Sequence, residues 1–277
     1  MSAIQQMMIG SSGGGTTLMS ALTTAALTTN LKLCLDAGDS ASYDPGVQTD
    51  KWLDRSGGGY DFYRGSGTGS DAADPTFNGS GGVTNSYWSF DGGDYFTYDT
   101  TNEAWMQTLH KNNAIFSLVA FYYQDGASDY ISFLGNLGYA PAVTGIHAYV
   151  GGSRAIRLEV GNAGATVIGV VTDAYLTTGA WHMVGISVNE ATGAGGGFFY
   201  ADGAYSQVAA SDTFNSTYTA PAAGNASYTT QICSDGNNAA SAAVGQRLNS
   251  MAIWQGTALT KANMDTIWAA MRGRFGI

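Results

Sequence analysis

The chain has 277 residues and a formal net charge of −10, with 11 Lys and Arg against 21 Asp and Glu. So few cations argue against a nucleic-acid partner, because phosphate contacts need clustered Lys and Arg, and no apolar run is long enough for a membrane-spanning helix. The 39 glycines and the 12% of aromatic residues instead predict short, well-packed strands joined by turns.

Residues 1–30 carry no charged side chain and have a Ser-Ser-Gly-Gly-Gly centre. Such a segment is flexible in isolation, and ordering it costs roughly 1–2 kcal/mol per residue. We therefore predict an anchoring arm that docks on a partner or a neighbouring subunit; the alternative is an arm folded back on its own domain. The apolar contacts of the predicted arm are Ile4, Met7, Met8, Ile9, Leu18 and Leu22.

The body of the chain, residues 31–277, is predicted to begin with strands. Leucines alternate with other residues over 31–35, which indicates a half-buried strand. Residues 88–96 predict a strand, a tight turn and a second strand. The long apolar run from Ile115 to Tyr123 is typical of the central strand of a sheet.

Period-two alternation continues around Ile131, over Ile156–Val160 and over Val184–Val188, and each segment predicts a further strand. Phe198–Tyr200 precede an Asp-Gly pair at 202–203, which is a hairpin signal. A last strand is predicted around Met251.

One helix is predicted after Thr260, which suits the N-cap position. The residues that share its apolar face are Met264, Ile267, Trp268 and Met271. A weaker helical turn is predicted within 102–110. Strands without intervening helices predict an all-β chain: an antiparallel β-sandwich, residues 31–277, with one C-terminal helix and an extended N-terminal arm, residues 1–30.

Six motifs follow one another along the body, among them a Trp-x-Asp-x-Ser-Gly turn, a Trp-His-x-Val strand and a Tyr-x-Asp-Gly hairpin. They lie at 31–62, 87–98, 116–123, 179–189, 196–205 and 250–271. Their order resembles the concanavalin A-like lectin/glucanase superfamily, in particular the laminin-G-like jelly rolls of phage and bacterial surface proteins. The first ten residues resemble the start of phage tail and other virion proteins. The resemblance implies a jelly-roll architecture more strongly than an activity.

Glycoside hydrolases of this superfamily carry a Glu-x-Asp-x-x-Glu strand, which places an acid and a nucleophile on one face. The chain has three glutamates, Glu103, Glu159 and Glu190, and none stands in that motif. Its three histidines are dispersed, and no Gly-x-Ser-x-Gly elbow is present. We therefore predict that the chain is not an enzyme.

The resemblance also implies a calcium ion, which laminin-G-like domains often hold with loop carboxylates. The candidate ligands are Asp36, Asp39, Asp91 and Asp94. The alternative is that these aspartates are turn residues that accept hydrogen bonds from nearby backbone. No Asp-x-Asp-x-Asp loop is present, so the sequence favours the turn role.

A carbohydrate site would combine aromatic ring faces with a few polar groups. The candidate ligand-binding residues are Trp52, Tyr60 and Tyr63 in a Gly-rich region, and Tyr122, Tyr123, Asp125 and Tyr130 around a predicted hairpin tip.

These observations predict a non-enzymatic phage virion structural protein, either a capsid decoration protein or a tail or fibre component. It would sit on the virion surface after assembly in the host cytoplasm, and the start of the chain lacks the pattern of a secretory signal. The predicted partners are a major capsid or tail protein, bound through the arm, and further copies of the chain. The alternatives are a carbohydrate-binding adhesin that recognises host glycans and, third, a glycoside hydrolase. Whether Cys34 and Cys233 form a bridge stays open.

Overall fold

The computed structural model describes residues 15–126, 129–138, 143–161, 166–171, 176–190, 196–207 and 224–277. The strands in these residues are β1 (Leu31–Asp36), β2 (Lys51–Trp52), β3 (Phe62–Arg64), β4 (Thr76–Asn78), β5 (Tyr87–Ser89), β6 (Phe96–Tyr98), β7 (Ile115–Gln124), β8 (Ile131–Gly135), β9 (Gly145–Val150), β10 (Ile156–Gly161), β11 (Thr166–Val171), β12 (Ala180–Asn189), β13 (Gly197–Ala201), β14 (Ala204–Gln207), β15 (Gln231–Ile232) and β16 (Arg247–Gln255). The helices are α1 (Leu18–Thr24), α2 (Ala104–Thr108) and α3 (Lys261–Met271), and a 3₁₀ turn follows at Arg272–Phe275.

Within the described residues the strands form two sheets of eight strands, and the named strand pairs are antiparallel. Sheet A has the order β14-β13-β12-β7-β16-β5-β4, and β1 also pairs with β16. Sheet B has the order β11-β10-β9-β8-β15-β6-β3-β2. The long apolar strand β7 lies at the centre of sheet A, between β12 and β16, as its sequence predicts. The predicted antiparallel β-sandwich is therefore confirmed.

The main core lies between the two sheets and is rich in aromatic rings. Trp88 stands at its centre, with its ring centroid 4.5 Å from that of Tyr43 and 5.1 Å from that of Phe96. The rings of Trp88 and Trp52 lie 5.8 Å apart, and both side chains are fully buried. Tilted and edge-to-face contacts of this kind contribute about 0.5–1.5 kcal/mol per pair beyond the area they bury.

A second core lies on the other face of sheet A, under α1 and α3. Its members from the helices are Leu18, Ala21, Leu22, Met264, Ile267 and Met271. Cys34 points into this core, while Leu33 and Leu35 point into the main core. The prediction of a half-buried first strand is therefore wrong, because helices cover the second face. Cys34 and Cys233 are both buried free thiols.

The predicted C-terminal helix is confirmed as α3. Thr260 caps it: its hydroxyl accepts the Asn263 N–H at 3.2 Å, and the Asn263 side chain accepts the Thr260 N–H at 2.9 Å. The weaker predicted turn is α2. Helix α1 was not predicted, although Thr17 caps it through the Ser20 N–H at 3.2 Å. None of the described helices is long and apolar enough to cross a lipid bilayer.

The described part of the predicted arm, residues 15–30, packs on its own domain. Leu18 and Leu22 are fully buried beneath α3 and sheet A. The Leu18 N–H donates to the Asp36 carboxylate at 2.7 Å, and the Trp254 indole donates to the Leu27 carbonyl at 2.7 Å. The prediction that Leu18 and Leu22 contact a partner is corrected by this burial, and the folded-back alternative describes these residues. The other predicted arm contacts, Ile4, Met7, Met8 and Ile9, lie outside the described residues.

Of the three hairpin-like connections that the sequence predicts, one is a hairpin and the other two cross from one sheet to the other. The Asp202-Gly203 hairpin joins β13 to β14, and both turn residues have positive φ, 49° and 81°. By contrast, β5 belongs to sheet A and β6 to sheet B, so residues 90–95 cross between the sheets. The predicted hairpin tip at 125–130 is likewise a crossing, because β7 lies in sheet A and β8 in sheet B. Residues on either side of this crossing therefore belong to different sheets.

Candidate functional site

Four side chains from four neighbouring strands line up on the outer face of sheet A, the face that carries the helices. They are Tyr87 of β5, Arg247 of β16, Tyr123 of β7 and Trp181 of β12, and each is partly exposed. Backbone register places Arg247 opposite Tyr123, and Tyr123 opposite Trp181. We call these four residues the aromatic ladder.

The ladder is a closely packed group around one cation. The guanidinium carbon of Arg247 lies over the ring of Tyr123 at 4.3 Å from its centroid and over the ring of Tyr87 at 5.0 Å. The ring of Trp181 meets those of Tyr123 and Tyr87 edge-on, with both centroids 5.8 Å away. Contacts between a cation and aromatic rings stabilise this arrangement by about 0.5–1 kcal/mol each at exposed positions.

Strand alternation decides which residues reach the ladder. Successive side chains of a strand point to opposite faces, so Tyr122 and Tyr123 separate. Tyr122 is fully buried in the main core, and its hydroxyl donates to Gln124 Oε1 at 3.1 Å. Tyr123 shares the outer face with Phe121, which belongs to the core under the helices.

The C-terminal 3₁₀ turn supports the ladder from one side. The ring of Phe275 stacks on Trp181, with centroids 4.6 Å apart and planes 25° apart, and also on Phe121 at 5.7 Å. Its neighbour Arg274 is held by two bonds to Asp36, at 2.8 and 3.0 Å, and this pair is almost completely buried. The ion pair thus fixes the turn that orients Trp181.

The segment before β12 is tied to the same end of the sheet. The Gly179 N–H donates to the Gln124 carbonyl at 2.7 Å. His182, buried beside Tyr122, contacts the Thr177 carbonyl through Nε2 at 2.8 Å and Asp202 through Nδ1 at 2.5 Å. These contacts give His182 a positioning role for the segment that flanks the ladder.

Arg247 is one of four described arginines that form no ion pair with a described carboxylate, whereas the other three do. Arg55, Arg64 and Arg274 each lie within 4.0 Å of an aspartate, at 3.2, 4.0 and 2.8 Å. No described carboxylate forms an ion pair with Arg247, and its guanidinium makes no hydrogen bond to the described part of the chain. Its N–H donors are therefore available to a group from outside.

The outer face of sheet B carries a second aromatic group, which is satisfied internally. The Tyr130 hydroxyl lies 2.5 Å from His147 Nε2, and the His147 ring stacks on Tyr149 at 4.3 Å. Burial lowers the pKa of His147 to about 3 and raises the pKa of Tyr130, so Tyr130 donates to a neutral imidazole. The Tyr149 hydroxyl donates to Glu159 at 2.8 Å.

Comparison with known proteins gives matches at the level of structure. No protein-family model and no curated protein sequence matches the chain. A botulinum neurotoxin DC binding domain in complex with SialylT superposes with a TM-score of 0.55 at 9% identity, over 88% of this chain and 52% of that one. A Trypanosoma rangeli sialidase in complex with sialic acid superposes with a TM-score of 0.52 at 14% identity, over 89% and 34%.

What the chain shares with these proteins is a fold. The described residues form an antiparallel β-sandwich, in agreement with the architecture that the sequence resemblance implies. The chain spans between a third and a half of the length of these structures. At these identities the superpositions establish architecture alone.

The seven predicted ligand-binding residues are not brought together. Trp52 and Tyr122 are fully buried in the main core, so their predicted ligand contacts are corrected. Tyr60 is partly exposed and its ring lies 5.3 Å from that of Trp105. Tyr63 lies on sheet B with the Lys51 ammonium 4.6 Å above its ring.

The remaining three predicted residues separate at the crossing between β7 and β8. Tyr123 is in the ladder, Tyr130 is in the group on sheet B, and Asp125 is exposed between them. Their ligand contacts stay predictions. Sequence reasoning missed Tyr87, Trp181 and Arg247. One available signal was strand alternation, because Trp181 alternates with the inward-facing residues of its strand and is therefore outward-facing.

The three glutamates all accept hydrogen bonds that hold the fold. Glu103 accepts from the Tyr98 hydroxyl at 3.1 Å, Glu159 accepts from Tyr149, and Glu190 accepts the Ala114 N–H at 3.1 Å. Each carboxylate is thus occupied by a structural partner.

The four predicted calcium ligands have turn or ion-pair roles. Asp36 is corrected as a ligand, because its oxygens take Arg274, the Leu18 N–H and the Gly38 N–H. Asp39 pairs with Arg55 at 3.2 Å and accepts the Ala41 N–H.

The second predicted pair of calcium ligands also matches the turn alternative. Asp91 accepts the Gly93 N–H at 3.2 Å, and Asp94 accepts the Asp91 N–H at 3.0 Å. Burial, with the nearby Asp91 carboxylate, raises the pKa of Asp94 to about 6. In the described residues no three His, Cys, Asp or Glu side chains come together as a metal site requires.

Proposed function

We propose that this chain is a carbohydrate-binding domain that presents the aromatic ladder to glycans and carries no glycosidase activity. The observation that carries the proposal is the ladder itself, in which Tyr123 and Tyr87 flank the guanidinium of Arg247 and Trp181 packs edge-on against both rings. Aromatic faces suit the C–H faces of pyranoses, and the guanidinium donors suit their oxygens.

The strands that carry the ladder favour a preformed site. β7, β12 and β16 are interior strands of sheet A, and a binding surface on such strands loses little conformational freedom when ligand arrives. The fold is consistent with this role, since the toxin domain and the sialidase that share it were solved with SialylT and sialic acid. The occupied glutamates support a binding role without hydrolysis.

Glycan binding by the purified full chain tests the proposal. A mixed glycan array, followed by calorimetry on the strongest hit, should give binding that Tyr123→Leu and Trp181→Leu each weaken about tenfold or more, because both remove a stacking face. Tyr63, a sequence candidate that lies on sheet B outside the ladder, supplies the matched control, and Tyr63→Leu should leave affinity unchanged. A silent array would refute carbohydrate binding, and hits insensitive to both ladder variants would refute the site.

The absence of hydrolysis is tested separately. Incubation of the array hits with the chain should release no reducing sugar, and release that is abolished by Glu103→Gln or Glu159→Gln would establish a glycosidase instead.

We also propose, as a matter of location, that the domain is displayed on a virion surface as a homo-oligomer. This rests on the resemblance of the first ten residues to virion proteins. Removal of residues 1–14 should then lower the molar mass of the purified oligomer, as measured by light scattering. The melting temperature of the domain should stay unchanged, because residues 15–30 remain packed on it. An unchanged mass would contradict an assembly role for that segment.

A further inference from the structure

We infer that the aromatic ladder selects glycans that carry a carboxylate, and that Arg247 is the residue that recognises the carboxylate. This inference rests on the proposed carbohydrate-binding function. It names the ligand class of that site, a pyranose with a carboxylate substituent.

No described carboxylate forms an ion pair with Arg247. The chain has a net charge of −10, and its aspartates pair with Arg55, Arg64 and Arg274. Arg247 stands between tyrosine rings with no described carboxylate within 4.0 Å, although the chain carries nearly twice as many acidic as basic residues. A partly buried cation lacking its counterion is compensated when an anion binds.

Aromatic rings hold the side chain of Arg247 in place. Its guanidinium lies over the rings of Tyr123 and Tyr87, and these contacts use the π faces and none of its N–H donors. A guanidinium presents planar donors that match the two oxygens of a carboxylate. The rings restrict the guanidinium before the ligand arrives, so less entropy is lost when the bidentate pair forms.

Apolar ring surface lies close to the cation of Arg247. The rings of Trp181 and Tyr87 stand 5.8 Å apart beside Arg247, which places apolar surface next to the donors. A free phosphate or an acidic peptide side chain would use the cation and leave the ring surface uncovered. A pyranose that bears a carboxylate covers both with one residue.

A comparison within the chain supplies the control. On sheet B, the Lys51 ammonium lies 4.6 Å above the ring of Tyr63, in the same kind of cation–aromatic contact. Lys51, however, bonds to Asp99 at 3.0 Å, so its charge is already neutralised. Lys51→Met therefore removes a cation beside a tyrosine ring without touching the proposed carboxylate site.

The test is calorimetry of the full chain with two acids, α2,3-sialyllactose and trigalacturonic acid, and with the carboxamide of each. Neutral lactose and lactose 3′-sulfate complete the set of probes. We expect at least one acid to bind about tenfold tighter than its carboxamide, because a charge-assisted bidentate pair is lost in the amide. Arg247→Met should abolish this preference, Arg247→Lys should reduce it, and Lys51→Met should leave it intact.

The possible outcomes separate the two proposals. If an acid, its carboxamide and neutral lactose bind equally and Trp181→Leu weakens them all, the ladder binds sugar and the carboxylate inference is overturned. Equal binding of the sulfate and the acids overturns the assignment to a carboxylate. If none of the probes nor any array glycan binds, carbohydrate binding itself fails. Equal melting temperatures of Arg247→Met and the parent chain exclude unfolding as the cause of a loss.

Discussion

Arg274 and Arg247 lie on the same side of sheet A and are connected through Phe275 and Trp181, yet their surroundings are opposite. Arg274 is almost fully buried and holds Asp36 through two bonds, at 2.8 and 3.0 Å. Arg247 is partly exposed between two tyrosine rings and has no described carboxylate within 4.0 Å. The charge of Arg274 is neutralised inside the fold, whereas the charge of Arg247 forms no ion pair with the described residues.

The largest effect on stability is expected when the counterion of the buried Arg274 is removed. Asp36→Ala leaves Arg274 buried and uncompensated, so the free energy of unfolding should fall by about 3–5 kcal/mol in urea titrations. Asp39→Ala is the control: its partner Arg55 is considerably exposed, and the loss should stay below about 1 kcal/mol. Equal decreases in the free energy of unfolding for the two variants would show that the buried ion pair contributes no more to stability than the exposed one.

Helix α1 belongs to the same buried region, and Leu18→Ala tests how much it contributes. Leu18 is fully buried under α3, so the free energy of unfolding should fall by about 3 kcal/mol. Thr24→Ala, at an exposed position of the same helix, should change it by no more than about 0.5 kcal/mol. A negligible change in the free energy of unfolding for Leu18→Ala would show that residues 15–30 do not pack stably on their own domain and would favour the predicted arm.

Asp94 provides a case opposite to Asp36, because it is a buried carboxylate that forms no ion pair with a described cation. Burial raises its pKa to about 6 in the folded chain, from 3.8. The folded state therefore binds more protons between these values, and this group lowers the free energy of unfolding as the pH rises from about 4 to about 6. Asp94→Asn should flatten that part of the profile and be more stable than the parent at pH 7. An unchanged slope in pH-dependent urea melts would contradict the raised pKa.

The smallest effect on stability is expected at the ladder. Arg247→Met should change the free energy of unfolding by less than about 1 kcal/mol, because a partly exposed cation over aromatic rings contributes little to folding. Chemical denaturation measures this directly. A loss as large as that of Asp36→Ala would place Arg247 among the structural charges and remove the contrast between the two arginines.

The elements of the fold were largely predictable from local patterns, whereas their assignment to sheets was not. The apolar run of β7, the cap of α3 at Thr260 and the Asp202-Gly203 hairpin each depend on neighbouring residues, and all three are confirmed. The crossings after β5 and β7 depend on which strands meet in space. Short turn-like segments therefore predicted hairpins where the chain changes sheet.

Local sequence patterns predicted the candidate site less well than the fold. Trp52 and Trp181 both stand in strands, yet one is fully buried in the main core and the other is partly exposed. The ladder gathers residues 87, 123, 181 and 247, which only the register of four strands brings together. Alternation shows that Tyr122 and Tyr123 face opposite ways, but only the packed helices reveal which face is covered.

The interior position of the ladder strands has a mechanical consequence. Each of β5, β16, β7 and β12 is hydrogen-bonded to neighbours along both edges. A force applied to a ladder side chain is thus distributed across the whole of sheet A, and no single ladder strand can detach without breaking two rows of hydrogen bonds at once. The backbone that carries the ladder is therefore expected to resist mechanical load better than an edge strand would.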